Sequence, residues 1–342
     1  MKHFDNRDYQ NLKGSVVTQE VAGTAKTSDG RRRFDGVDGA SAFFARELDY
    51  VKSKAYDKHY PELSALTFMP ITNEVDQGAE TATFYGYEST GIAEIINNYG
   101  DDLPRADVMG EPTTVQIKSV GDSYGYNAQE MRASAYTGKN LDARKATAAR
   151  RAHDLKVNQI AFVGDKKSGL IGLFSDSAGI PVYALSEVEV NGVMHTEFAY
   201  KDPDQILGDV SGIQMYVDNL TNSIERPDTL ALPSHIYMDL ATRRIPDTDI
   251  TILKFLKDNS PYIKNWESWN ELKKEATMFN PTGKNQMLLY TKDSEKFSLE
   301  IPMPFLQYPV QVRNLETTIP CESRCAGLMI YYPFSMALGE GI

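Results

Sequence analysis

The stretch from Thr81 to Phe174 constrains the fold more than any other part of the chain, because it orders an extended hairpin, one long helix and a glycine-punctuated turn. The outgoing arm, Thr81-Ala82-Thr83-Phe84-Tyr85-Gly86-Tyr87, is rich in threonine and aromatic residues. The returning arm alternates Val115 and Ile117 with Gln116 and Lys118, and both arms read as strands. Between them, Asn97-Asn98-Tyr99-Gly100-Asp101-Asp102-Leu103-Pro104-Arg105 has the composition of a projecting tip. The helix that follows is marked at both ends: Asn140 is a good N-cap, Asp142 places an anion in the first turn, and Gly164 supplies the stop. From Leu141 to Phe162 it would run roughly 33 Å, enough to brace an elongated, plate-like subunit. Leu141, Ala148, Ala152, Leu155 and Phe162 are predicted to form its packing stripe, with Arg144, Lys145, Arg150, Arg151 and Lys156 on the exposed side.

Before this block, residues 1–38 are polar and glycine-broken, which predicts an extended arm. Ala40 to Ala55 then carries Phe44, Leu48, Val51 and Ala55 on one helical face. After it, short strands are predicted around Val182, Val188 and Val190, with a hairpin turn at Asn191-Gly192. Asp202-Pro203-Asp204-Gln205 opens a second helix with cap, first-position proline and capping-box spacing, and Ile206, Val210, Ile213, Val217 and Leu220 form its buried stripe. Thr229–Pro233 reads as a buried strand, followed by a helix from Ser234 to Thr242 in which Ser234 is the expected N-cap. Beyond Lys292, Phe297, Leu299 and Ile301, and then Val310 and Val312, alternate with polar residues as half-buried strands.

Chemistry-bearing motifs are missing. There is no phosphate-binding Gly-x4-Gly-Lys-Ser/Thr, no His-Glu-x-x-His, no Gly-x-Ser-x-Gly and no dinucleotide-binding glycine fingerprint, and Gly164-Asp165-Lys166-Lys167-Ser168-Gly169 reads as a turn after a helix. Asp247-Thr248-Asp249 precedes an apolar helical run, so helix capping is favoured over a divalent ion. Ser234-His235 are neighbours in sequence, a poor arrangement for a nucleophile and its base. Cys321 and Cys325 lack a second Cys/His pair at zinc-ligand spacing and read as packing residues. No cofactor and no metal are expected. The net charge of -11 argues against a protein that grips nucleic acid, although Arg31-Arg32-Arg33 is a basic run. The longest apolar run, Leu328 to Leu338, is broken by Pro333 and Ser335, so no membrane role is expected, and Met1-Lys2-His3-Phe4-Asp5 has no apolar signal core.

Hairpin arm, long helix, Gly164-Asp165 turn and Gly169-Leu170-Ile171-Gly172-Leu173, with Ser323-Arg324-Cys325-Ala326-Gly327-Leu328-Met329-Ile330-Tyr331-Tyr332-Pro333 near the end, together resemble the major capsid proteins of tailed bacteriophages, the Hong Kong 97-type fold. The resemblance covers about Asp57 to Ile342 and implies an α+β fold with an N-terminal arm, an extended loop, a spine helix, a peripheral domain and an axial domain. The implied boundaries are 1–56 for the arm, 57–80 for the first part of the peripheral domain and 81–118 for the extended loop. The peripheral domain continues over 119–203, with the spine helix at 140–163 and the start of the axial domain; 204–290 is the axial domain proper, and 291–342 returns to the peripheral domain. It further implies a structural protein that assembles with itself into hexamers and pentamers, forming an icosahedral shell around double-stranded DNA without sequence-specific binding. Portal, scaffold and decoration proteins are the implied partners, the virion the location, and the host cytoplasm the place of assembly. Asn97, Tyr99, Asp101, Asp102 and Arg105 would then be contacts of the extended loop with neighbouring subunits. Some relatives crosslink covalently through a lysine on this loop, but Ile96 to Asp107 contains none, so that chemistry is not carried over. The alternative of the same fold is an encapsulin-type nanocompartment enclosing a cargo enzyme.

Overall fold

The computed structural model describes residues 60–91, 106–137 and 141–342. The arm at 1–56, its expected helix over 40–55, the hairpin tip with Asn97, Tyr99, Asp101, Asp102 and Arg105, the Asn140 cap and the Leu141 side chain lie outside the described residues. The hairpin arms are strands, as their composition predicts: Thr81–Thr90 pairs antiparallel with Asp107–Gln116. The chain then runs on as Lys118–Asn127, which pairs antiparallel with Glu316–Cys325 from Lys118↔Cys325 to Asn127↔Glu316. Glu316–Cys325 is the centre of a four-stranded sheet, and Met303–Gln307 and Gln311–Arg313 follow one another along its second edge.

The long helix, Leu141–Val163, packs against Lys118–Asn127 and the short helix Ser64–Phe68. Its buried face runs through Ala149, His153, Val157, Ile160 and Ala161, with Phe162 also fully enclosed. Ala148 and Ala152, expected in the packing stripe, are exposed, and Leu155 is only half-buried. The displacement has a physical cause. Two of the buried positions are polar, His153 and Asn158, so a search for apolar spacing alone places the stripe one residue off. Phe162 is at the centre of the larger core, edge-on to Trp269 at 5.8 Å and close to Phe174 and Phe279.

Glycine decides how this helix ends. Gly164 takes φ +71°, and Gly172 comes so close that an added Cβ would stand 2.3 Å from the Gly164 nitrogen. The close approach lets the next segment satisfy the last helical carbonyls: Leu173 N–H donates to Ala161 O and Phe174 N–H to Phe162 O, each at 2.8 Å. Asp165 and Ser168 close the predicted turn between them with a 2.7 Å side-chain bond.

A second core, with members from Leu185 to Ile342, packs around a five-stranded sheet. Pro203–Leu220 is a helix with the predicted capping box, the Gln205 side chain accepting from Asp202 N–H at 3.0 Å, and Ile206, Val210, Ile213 and Val217 are buried; Leu220, at the last turn, is exposed. Thr229–Pro233 is buried throughout and pairs with Asn265–Trp269 on one side and Gln286–Tyr290 on the other. Met336–Glu340 pairs with Gln286–Tyr290, so this sheet draws strands from both sides of position 291. Asn191 and Gly192 form the two-residue hairpin turn with positive φ at both, as predicted. Two cap assignments shift. Ser234 is the first residue of Ser234–Thr242 rather than its cap, and the helix Ile252–Asn259 is capped by Thr251, which accepts from Lys254 N–H, rather than by Asp247 or Asp249.

Cys321 and Cys325 are free and buried on one face of the same strand. Four residues along a strand span about 13 Å, far beyond disulfide reach. Burial raises both thiols, Cys325 to about 11. Both are expected to resist a water-soluble thiol reagent in the folded protein and to react once denaturant is added. Prompt labelling without denaturant would show that one of them is accessible.

Candidate functional site

Among the described residues no group of three or more His, Cys, Asp and Glu side chains could hold a metal ion, and no helix is long and apolar enough to cross a membrane. The buried polar groups instead act as joints between elements. Glu271, fully enclosed, accepts from Ser64 N–H at 2.9 Å, Ser64 Oγ at 2.5 Å and Asn158 Nδ2 at 3.0 Å, while Asn158 Oδ1 takes the Ala65 N–H. That network ties the start of the described chain to the long helix and to the 270–272 turn. Lys201 and Asp209 form a wholly buried ion pair at 2.5 Å, Asp209 also accepts from Ser186 N–H, and Arg243 donates to the carbonyls of Phe198 and Lys201. His153 bonds Ser323 Oγ through Nδ1 at 2.9 Å and leaves Nε2 unpartnered; burial holds its imidazole below the usual histidine range, against the pull of Asp122 and Asp154. Ser234 donates to Asn270 Oδ1 rather than engaging His235.

The surface carries the stronger functional signal. Beyond its base, where Val115 is buried and Phe84 packs on Tyr331, the described residues leave Tyr85, Tyr87, Val108 and Met109 exposed, Tyr87 by 73%. Tyr85 and Tyr87 stack on each other at 6.3 Å, and the Tyr87 ring lies over Gly110, where an added Cβ would meet it at 3.1 Å. A two-stranded ribbon is marginal in water on its own, and apolar side chains concentrated on it mark a surface built for contact.

A second exposed apolar strip lies at one end of the four-stranded sheet. Every residue from 306 to 316 is exposed, and Val312 (74%) and Leu315 (77%) are nearly free of the other described residues. The alternation at Val310 and Val312 predicts half-burial against this chain; the strand instead sits on the sheet edge with neither face covered by described residues.

The family model described as Major capsid protein matches residues 91–342, most of the chain. The chain belongs to the major capsid protein family. Among solved structures it is similar to the capsid of Myoviridae phage XM1, with TM-score 0.73 and 15% identity over 87% of this chain and 98% of that one. It is also similar to a structure from Gordonia phage Cozz (TM-score 0.57, 11% identity, 94% of this chain and 98% of that one). The capsid of a native GTA particle matches at TM-score 0.61 and 6% identity over 89% of this chain and 98% of that one. At these identities the likeness is one of fold, and it is the Hong Kong 97-type α+β fold. A comparison with curated protein sequences found no match. The chain is thus a structural subunit of a capsid shell built from multiple copies of itself, and the nanocompartment alternative is not favoured.

The exposed aromatic and apolar residues of the two strips were not singled out as contacts from the sequence. A signal was available for the hairpin. Its returning arm, Asp107-Val108-Met109-Gly110-Glu111-Pro112-Thr113-Thr114, has no apolar alternation to match Phe84, Tyr85 and Tyr87, and a proline within a strand marks an edge.

Proposed function

We propose that this subunit forms hexamers and pentamers that close into the icosahedral head of a tailed phage around its double-stranded DNA, assembling in the host cytoplasm. The observation that carries this reading is the ribbon Thr81–Thr90/Asp107–Gln116, which spends exposed tyrosine, valine and methionine where the described residues of its own chain offer no cover. Such a ribbon makes sense when a neighbouring subunit covers it. In this reading the tip with Asn97, Tyr99, Asp101, Asp102 and Arg105 orients that neighbour by charge, and the N-terminal arm at 1–56 lies along an adjacent subunit. The long helix, through Phe162, braces the peripheral domain, and residues 204–290 surround the axis of each ring. Two different patches meeting head to tail generate closed rings, joined by obligate interfaces on the order of 2,000 to 5,000 Å². Portal, scaffold and decoration proteins are the proposed partners. With a net charge of -11 the wall repels rather than grips DNA. The test is expression of the full chain, with sedimentation and electron microscopy of the product: closed shells support the reading, and a discrete small oligomer overturns it.

A further inference from the structure

At the base of the hairpin an open groove of ≈ 1210 Å³ separates the ribbon from the 294–295 and 331–334 segments. It is larger than a pocket built for a small molecule, roughly 300–1,000 Å³, and its size suits a piece of polypeptide. Its walls combine exposed Tyr85, Tyr87, Met109, Tyr332 and Phe334. Three exposed carboxylates, Glu74, Glu111 and Glu295, also line it, while Lys296, over the ring of the wall residue Tyr332, is already paired with Glu225. None of the three is in an ion pair among the described residues. An aromatic, acidic groove fits an apolar segment that carries a cation.

The same chain displays such a segment. Residues 308–315 present Val310, Val312 and Leu315 with Arg313 among them, and Arg313 has no ion pair among the described residues. Asn314, at φ 57°, turns the chain sharply between Gln311–Arg313 and Glu316–Cys325, and the Arg313↔Glu316 register holds that turn at the end of the sheet. Among the described residues, the groove wall and the Val310–Leu315 part of the turn are both exposed and apolar, and Glu74, Glu111 and Glu295 on one side face the opposite charge of Arg313 on the other. We propose that the 308–315 turn of one copy seats in the hairpin-base groove of a second copy, with Arg313 answering the groove's carboxylates and Val312 and Leu315 covering its aromatic wall. The contact joins two different patches, so it is head-to-tail and propagates around a ring. This inference rests on the shell reading above and assigns it a specific seam.

The test is charge exchange in the full chain. Arg313→Glu is expected to lower the assembled fraction at least about tenfold, Glu111→Lys and Glu295→Lys each to lower it, and Arg313→Glu combined with one of these to restore most of it. Circular dichroism of the unassembled subunits should be unchanged in all variants. In a second arm, Met109→Cys with Val312→Cys should give a ladder of disulfide-linked copies on a non-reducing gel. Rescue with the ladder supports the seam. No loss of assembly in Arg313→Glu, loss without rescue by either partner, or absence of the ladder overturns it, the last two indicating that another segment or protein fills the groove. Failure of the unaltered chain to form shells would refute the shell reading itself, whereas normal shells from Arg313→Glu would refute only the seam.

Discussion

Replacing residues 88–109 with an Asn-Gly turn is expected to yield a folded, soluble subunit that builds no shells. The cut closes the ribbon at the Tyr87↔Gly110 register pair with a turn suited to a two-residue hairpin. It removes Ser89, Thr90, Val108 and Met109, all exposed, and leaves the buried base at Val115 and Ile117 intact. The described residues that are removed pack little on their own chain, so the melting temperature of the unassembled subunit should change by no more than about 2–4 °C, the equivalent of roughly 1 kcal/mol. Assembly should fail, because in the proposed reading the removed surface meets neighbouring chains. Sedimentation and circular dichroism of the same preparations read both effects. Unfolding of the shortened subunit would show that the ribbon supports its own chain, and normal shells would show that it supports nothing.

A second large effect is expected inside the second core. Lys201→Met leaves the Asp209 carboxylate enclosed without its cation, and breaking a buried pair in this way costs about 3–5 kcal/mol. Adding Asp209→Asn removes the stranded charge while keeping an oxygen for the Ser186 N–H, so the double variant should lose only about 1–3 kcal/mol. Urea unfolding of the unassembled subunits measures the difference. A single variant that costs less than about 1 kcal/mol, or a double variant that costs more than the single, would mean that the pair does not bear on the packing of the Pro203–Leu220 helix against its sheet.

Local signals in the chain were strong where short-range chemistry sets the structure. The long helix, the Asp202 capping box, the Asn191-Gly192 turn and the Gly164 stop each depend on residues within a turn or two of one another, and each is found where its residues predict. What was not legible depends on distant partners. Nothing local indicates that Lys118–Asn127 pairs with Glu316–Cys325, and nothing near His153 or Asn158 announces that Ser323 and Glu271 make those polar positions the buried side of the helix. Val310 and Val312 misled for a related reason. Alternation reports that one face will be covered, but not whether the cover comes from the same chain. In a subunit made for assembly, the two cases read alike in sequence.

The most direct measurement is a cryo-electron-microscopy reconstruction of particles formed by the unaltered chain. The account predicts a closed shell in which the ribbon Thr81–Thr90/Asp107–Gln116 of each subunit lies on a neighbouring copy and Tyr85, Tyr87 and Met109 are covered by that neighbour. A particle in which the ribbon contacts only its own chain, or an assembly that is not a shell, would contradict it.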